Sequence, residues 1–243
     1  MCLTEDYRPD IEIFLLHGIN TYAEWQPKVR AIFEPYREYI SVETIKYGKY
    51  SLWKFLRPRS YEDKPLELVK RELTSIIQNS PNSKIVVIAH SFGTYLVTKI
   101  LLNNPLIKID KLILCGSIVD NDFPWHNLES LRLNGEKTQK ILNECGRRDM
   151  WSFLAMKTNL GYGNTGIFGI GKTGIYDRFH DFKHSDYFKD TFTSDYWLPY
   201  IVHNIIKVTD ERETKGYPWY IKYLIEIIVS LIAAIIIFLW YVF

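Results

Sequence analysis

Five consecutive residues of this chain have the types and spacing to present a nucleophile. Ala89-His90-Ser91-Phe92-Gly93 follows the apolar run Ile85-Val86-Val87-Ile88 and precedes a helix-like stretch from Thr94 to Leu102. A serine on a sharp strand-to-helix turn is held in strained backbone geometry. Its hydroxyl then stands clear of the sheet, and the N–H of the next residue faces the oxygen of an attacked carbonyl. Such a turn needs small residues two before and two after the serine, and these are Ala89 and Gly93. The pattern is G-x-S-x-G with Ala in place of its first Gly, and the chemistry it points to is acyl transfer through Ser91.

A serine nucleophile needs a base and an acid that orients the base. After Ser91 come the apolar run Lys111-Leu112-Ile113-Leu114-Cys115 and a weaker one at Thr138 to Asn143, which leads into Glu144-Cys145-Gly146-Arg147-Arg148-Asp149. Asp149 thus follows a strand, where an orienting acid belongs. About 35 residues later Phe182-Lys183-His184-Ser185-Asp186 supplies a histidine in a polar loop, so His184 is the candidate base. Competing acids are Asp120 and Asp122 after the Ile113 strand and Asp181 and Asp186 beside the histidine; competing bases are His180 and His203. Upstream, Ile11 to Leu16 reads as a buried strand running into His17-Gly18-Ile19-Asn20. There Gly18 lets the backbone approach a substrate, and His17 is expected to brace the loop.

With HGIN, AHSFGT, GRRD and HSDYF in this order from Ile11 to Val208, the chain resembles the α/β-hydrolase superfamily. The likeness is to its small lipase and serine-esterase branches, which carry an HG loop and a histidine before the serine. The resemblance implies a Ser91-His184-Asp149 triad. It also implies an oxyanion hole from the N–H groups of Phe92 and Ile19, with Gly18 as the other candidate donor, and no metal or organic cofactor. The stretch from Gly116 to Gly135 lies where this superfamily inserts a cap, so Phe123, Trp125 and Leu128 are candidates either to line an acyl pocket or to pack a loop, and Tyr47 to Arg59 is a candidate second wall or a membrane-facing surface.

The elements that must position these groups alternate. Strands are expected at 11–16, 39–47, 84–89 and 111–115, and helices at 24–36, 65–78 and 92–104, which predicts a mostly parallel sheet with helices on both faces. Gly166 to Thr173 matches a P-loop pattern and Gly169 to Gly174 a dinucleotide one, but apolar residues alternating on either side of Gly171-Lys172 predict a glycine hairpin instead. His180 and His184 are four apart, yet they lack the glutamate of H-E-x-x-H and a third ligand.

From Ile227 to Phe243 there is no charge, and twelve of these seventeen residues are Ile, Leu, Val or Phe. As a helix extended back to Tyr223 the run is about 31 Å long, close to the hydrocarbon thickness of a bilayer. Aromatic residues cluster at both its ends, as interface belts do. The expected organisation is therefore a hydrolase-like domain at 1–208, a polar linker at 209–216 and a C-terminal transmembrane anchor at 217–243. The amino-terminal residues are polar and show no signal peptide, so the domain is expected to face the cytosol. A net charge of +2 without a basic run gives no case for nucleic acid, and three cysteines suit a reducing compartment. The expected function is ester or thioester cleavage of a lipid or acylated substrate at a membrane, with oligomerisation possible through the anchor. The alternatives are a catalytically silent binding module and a triggered membrane effector.

Overall fold

The computed structural model describes residues 10–19, 24–48, 63–132, 140–157, 161–189 and 191–209, together with Tyr223, Glu226, Ile227, Ser230, Leu231 and Ala234. The strands are β1 (Ile11–Leu16), β2 (Ile40–Ile45), β3 (Lys84–His90), β4 (Lys111–Cys115), β5 (Ile141–Gly146) and β6 (Ile175–His180). Between and after them lie α1 (Trp25–Phe33), α2 (Asp63–Asn79), α3 (Phe92–Asn103), α4 (Trp125–Arg132), α5 (Met150–Lys157), α6 (Thr165–Phe168) and α7 (Leu198–His203). All six strands pair in parallel, in the order β2-β1-β3-β4-β5-β6.

A parallel sheet must be covered on both faces, because its crossovers put helices on each. Successive side chains of a strand point to opposite faces, so the apolar runs serve two cores. Phe14, Leu16, Val87 and Ala89 join Val69 and Leu73 of α2 and Leu96 and Val97 of α3. Ile13, Leu15, Val86 and Ile88 join Trp25, Val29 and Phe33 of α1 and Tyr200 and Ile201 of α7. After β2 the strand order reverses across β1, and such a reversal opens a crevice between the carboxyl ends of β1 and β3. Those ends carry His17-Gly18-Ile19 and His90-Ser91.

Two expectations change. Residues 167–176 are not a hairpin: α6 leads through Gly169, Gly171 and Gly174, all at positive φ, into β6, which runs parallel to β5. The weak strand expected at 138–143 is β5 and begins at Ile141. Alternation with period two reports that a strand has two faces but not the direction of its partner.

The chain divides into compact units at 1–212 and 213–243. Among the described residues no helix is long and apolar enough to cross a membrane. The expected anchor at 217–243 lies largely outside the described residues, as do Tyr47 to Arg59 from residue 49 onward.

At the far edge of the sheet, Glu144 of β5 and Arg178 of β6 face each other in register with fully buried side chains. Glu144 accepts from Arg178 Nε (2.9 Å) and Nη2, from Trp197 Nε1 (2.9 Å) and from His180 Nε2 (2.7 Å). Burial pushes the carboxyl up, but the Arg178 charge and these hydrogen bonds outweigh it and hold Glu144 at about 2. Glu144→Gln leaves a buried guanidinium uncompensated and is expected to cost about 3–5 kcal/mol in urea unfolding. Because the folded value lies below the ordinary 4.5, the pair's contribution is full above that pH and is lost as pH falls toward 2. The Gln variant should lack that part of the acid dependence; equal unfolding midpoints for the two proteins at neutral pH would show that the pair adds nothing to stability.

Candidate active site

Ser91 lies between β3 and α3 with φ 54° and ψ −122°, a conformation that costs of order 1–3 kcal/mol for a residue with a Cβ. One long-range and two local hydrogen bonds hold it there. Its N–H donates to the Cys115 carbonyl (3.0 Å), and its own carbonyl accepts from the Thr94 N–H (2.9 Å) and Thr94 Oγ1 (2.5 Å). The neighbours must be small: a Cβ on Gly93 would fall 2.7 Å from the His17 carbonyl oxygen, and one on Gly18 would fall 2.8 Å from Ser91 Cβ. Gly18 therefore sits over the serine, with Ile19 next in the chain, and Phe92 opens the twelve-residue helix α3 beside it. His17 is stacked on Tyr47 (4.1 Å, 14°), whose hydroxyl donates to the carbonyls of His17 (2.5 Å) and Gly18 (3.1 Å). Burial pushes the His17 ring to a lowered pKa.

Asp149 follows β5, and His184 lies in the loop after β6. Parallel pairing of these strands brings both residues to one end of the sheet, with His184 Nδ1 2.7 Å from Asp149 Oδ2. The acid also caps a helix: its Oδ1 accepts the N–H groups of Trp151 and Ser152 in the first turn of α5, both at 3.0 Å, and Oδ2 accepts Ser152 Oγ at 2.8 Å. Burial pushes the Asp149 carboxyl up, but the interactions with His184 and Ser152 outweigh it and hold the group below the usual carboxylate range. An anionic acceptor at Nδ1 fixes the imidazole proton there and leaves Nε2 as the basic nitrogen. The Asp149 side chain is fully buried and that of His184 is 15% exposed, so of the two only the imidazole meets solvent.

The structure separates the competitors from this pair. Asp120 accepts the Asp122 N–H (2.8 Å), Asp181 pairs with Arg148 (3.3 Å), and Asp186 accepts the Lys183 N–H (3.0 Å) and pairs with Lys189 (3.6 Å). His180 is bound to Glu144, so the two histidines four apart serve different carboxylates. His203 ends α7 with its side chain exposed. Trp125 and Leu128 are buried in the same core as Phe92 and Tyr95, with Phe123 packed against its edge, so their side chains pack the α3 face of the sheet.

Three residues to which the sequence assigned no role in the site complete the arrangement. Gly116, at φ 53°, carries no Cβ where one would lie 3.0 Å from both Asp149 Oδ2 and His184 Nδ1. Ser152 adds its hydroxyl to the acid; the D-x-x-S spacing at a helix start was the signal available for it. His90 donates from Nε2 to the His184 carbonyl (2.7 Å), and its ring lies 4.6 Å from that of His184.

No family model matches the chain, and no curated protein matches it. Among solved structures it is similar to an uncharacterized protein from Bacillus cereus ATCC 10987, at 14% identity and TM-score 0.54 over 84% of this chain. The match spans 63% of that protein. Looser overlaps include a predicted CIB-like hydrolase from Thermoplasma acidophilum (17% identity, TM-score 0.48, 77% of this chain and 82% of that one). Another is a thermostable carboxyl esterase from Bacillus coagulans (11% identity, TM-score 0.43, 77% and 86%). The chain has the α/β-hydrolase fold, with six parallel strands and a serine turn at the carboxyl end of β3.

Proposed function

We propose that this chain is a serine hydrolase that cleaves an ester or thioester of a lipid or acylated substrate while anchored in a membrane by its C-terminal segment. The observation that carries the catalytic part is the 2.7 Å bond between His184 Nδ1 and a buried, ionised Asp149, at the end of the sheet that bears the strained Ser91. In this reading Ser91 Oγ attacks the acyl carbonyl as His184 Nε2 takes its proton. The N–H groups of Phe92 and Ile19 receive the oxyanion, each contributing about 3–4 kcal/mol to lowering the barrier. His184 then protonates the departing alkoxide or thiolate, leaving an acyl-serine. Water, deprotonated by the same histidine, displaces the acyl group as a carboxylic acid and restores Ser91.

The lipid preference is supported by the uncharged run from Ile227 to Phe243, since an anchor concentrates the enzyme where such substrates are. A fluorophosphonate probe should label the full chain, and peptide mapping should find the adduct on Ser91. An adduct elsewhere, or none on protein that is folded by circular dichroism, refutes the catalytic reading. The anchor is tested separately. The full chain should stay with membranes through carbonate extraction, whereas a chain ending after Thr214 should be released and still hydrolyse a dispersed short-chain ester. Burial of a dozen large apolar residues contributes roughly −5 kcal/mol to insertion, more than Glu226 costs near an interface. A full chain that is soluble without detergent, with a shortened one that aggregates, would make the segment part of the domain core.

A further inference from the structure

His90 immediately precedes Ser91 and is buried. Its Nε2 lies 2.7 Å from the carbonyl oxygen of His184, which can only accept, so Nε2 carries the ring proton and Nδ1 is bare. Nδ1 is buried without a hydrogen-bond partner. The ring is held in place by aromatic edges: Phe188 lies 5.0 Å away at 81° and Trp25 6.5 Å away at 73°, and these two stack on each other at 4.2 Å. Trp25 belongs to α1 and Phe188 to the loop that carries His184, so the clamp joins the nucleophile turn, the base loop and α1. A buried acceptor left unpaired forfeits its hydration without return, which makes histidine a poor choice at this position for stability alone. A leucine of similar volume would avoid that cost.

We infer that His90 is a positioning residue: through a hydrogen bond outside the triad it sets the backbone of His184, and hence the base, in register with Ser91. This rests on the reading of Ser91 and His184 as nucleophile and base. The tether keeps one protonation state over the working pH range. Burial, and then the neighbouring His184 ring, push His90 down to about 3, against the raising effects of its bond to the His184 carbonyl and of Asp149; His17, after β1, adds a small lowering effect.

The test is steady-state turnover of a short p-nitrophenyl ester and the rate of fluorophosphonate labelling, on the full chain in detergent, for wild type, His90→Leu, His90→Asn and His90→Gln. Misplacement of a reacting group by about 1 Å costs about 100-fold in rate, so His90→Leu should lose about that in kcat with KM little changed. Its thermal midpoint should stay within about 3 °C, about 1 kcal/mol for a chain of this size, because losing the tether offsets removing the orphaned acceptor. Glutamine places an amide N–H at nearly the reach of Nε2 and should restore kcat to within about tenfold of wild type, whereas the shorter asparagine should not. The acid limb of kcat/KM should keep a one-proton slope in wild type and in His90→Gln.

A His90→Leu variant with wild-type kcat overturns the tether while leaving the triad reading intact. Loss of kcat and midpoint together, without recovery by glutamine, makes His90 a packing residue and also overturns it. A two-proton acid limb in wild type shows that His90 titrates in the working range and overturns it too. A wild type that neither labels nor turns over sinks both readings.

Discussion

Ser91→Ala is expected to remove turnover of short p-nitrophenyl esters, by about 10⁶-fold in kcat where the wild-type rate permits the measurement, with the fold unchanged. Alanine keeps the Cβ, so the φ 54° turn is as strained as before, and the bonds that hold it are all made by backbone atoms of residue 91. The substitution removes only Oγ and with it covalent catalysis. What remains is substrate binding and the oxyanion donors, which in other hydrolases leave about 10³–10⁴-fold over water. Circular dichroism and unfolding midpoints should match wild type. An alanine variant that turns over at the wild-type rate would exclude Ser91 as the nucleophile.

Asp149→Asn is the second large effect, about 10⁴-fold in kcat. Asparagine can still offer its carbonyl oxygen to the N–H groups of Trp151 and Ser152, so the cap of α5 survives. Toward His184, however, an amide N–H can replace the carboxylate oxygen, which moves the imidazole proton to Nε2, where the base must be bare. Stability should therefore fall by about 1 kcal/mol or less while kcat collapses. Asp120→Asn, whose carboxylate serves only the Asp122 N–H among the bonds the structure describes, should be mild. Triad members act as a unit, so Asp149→Asn combined with Ser91→Ala should add little to Ser91→Ala alone. Near-normal turnover in Asp149→Asn with collapse in Asp120→Asn would move the acid to the loop after β4.

The effect of pH follows the same geometry. Asp149 is held below its ordinary value, so its contribution to stability is full above the usual carboxylate range and is lost only as pH falls through its lower folded value.

The features legible in the amino-acid sequence are those that depend on near neighbours. The runs at Ile11, Ile85 and Lys111 read as strands because they are apolar on both faces, as buried parallel strands must be. The serine turn was legible because its geometry demands small residues two positions away, and Ala89 and Gly93 supply them. Asp149 and His184 could be nominated only by order. Thirty-five residues separate them, and nothing local tells His184 from His180 or Asp149 from Asp120. Tertiary structure paired each histidine with its carboxylate through one fact that alternation could not carry: β6 runs parallel to β5 rather than folding back as a hairpin. That direction sends His180 to Glu144 and the next loop, with His184, to Asp149. Trp125 and Leu128 lie in one core with Phe92 and Tyr95, a placement the sequence could not give, because apolar side chains on a short helix serve a core or a ligand equally well until the facing element is known. The contacts of Gly116 and His90 were not legible for the same reason: each meets a neighbour on another strand or loop, and only packing sets that contact.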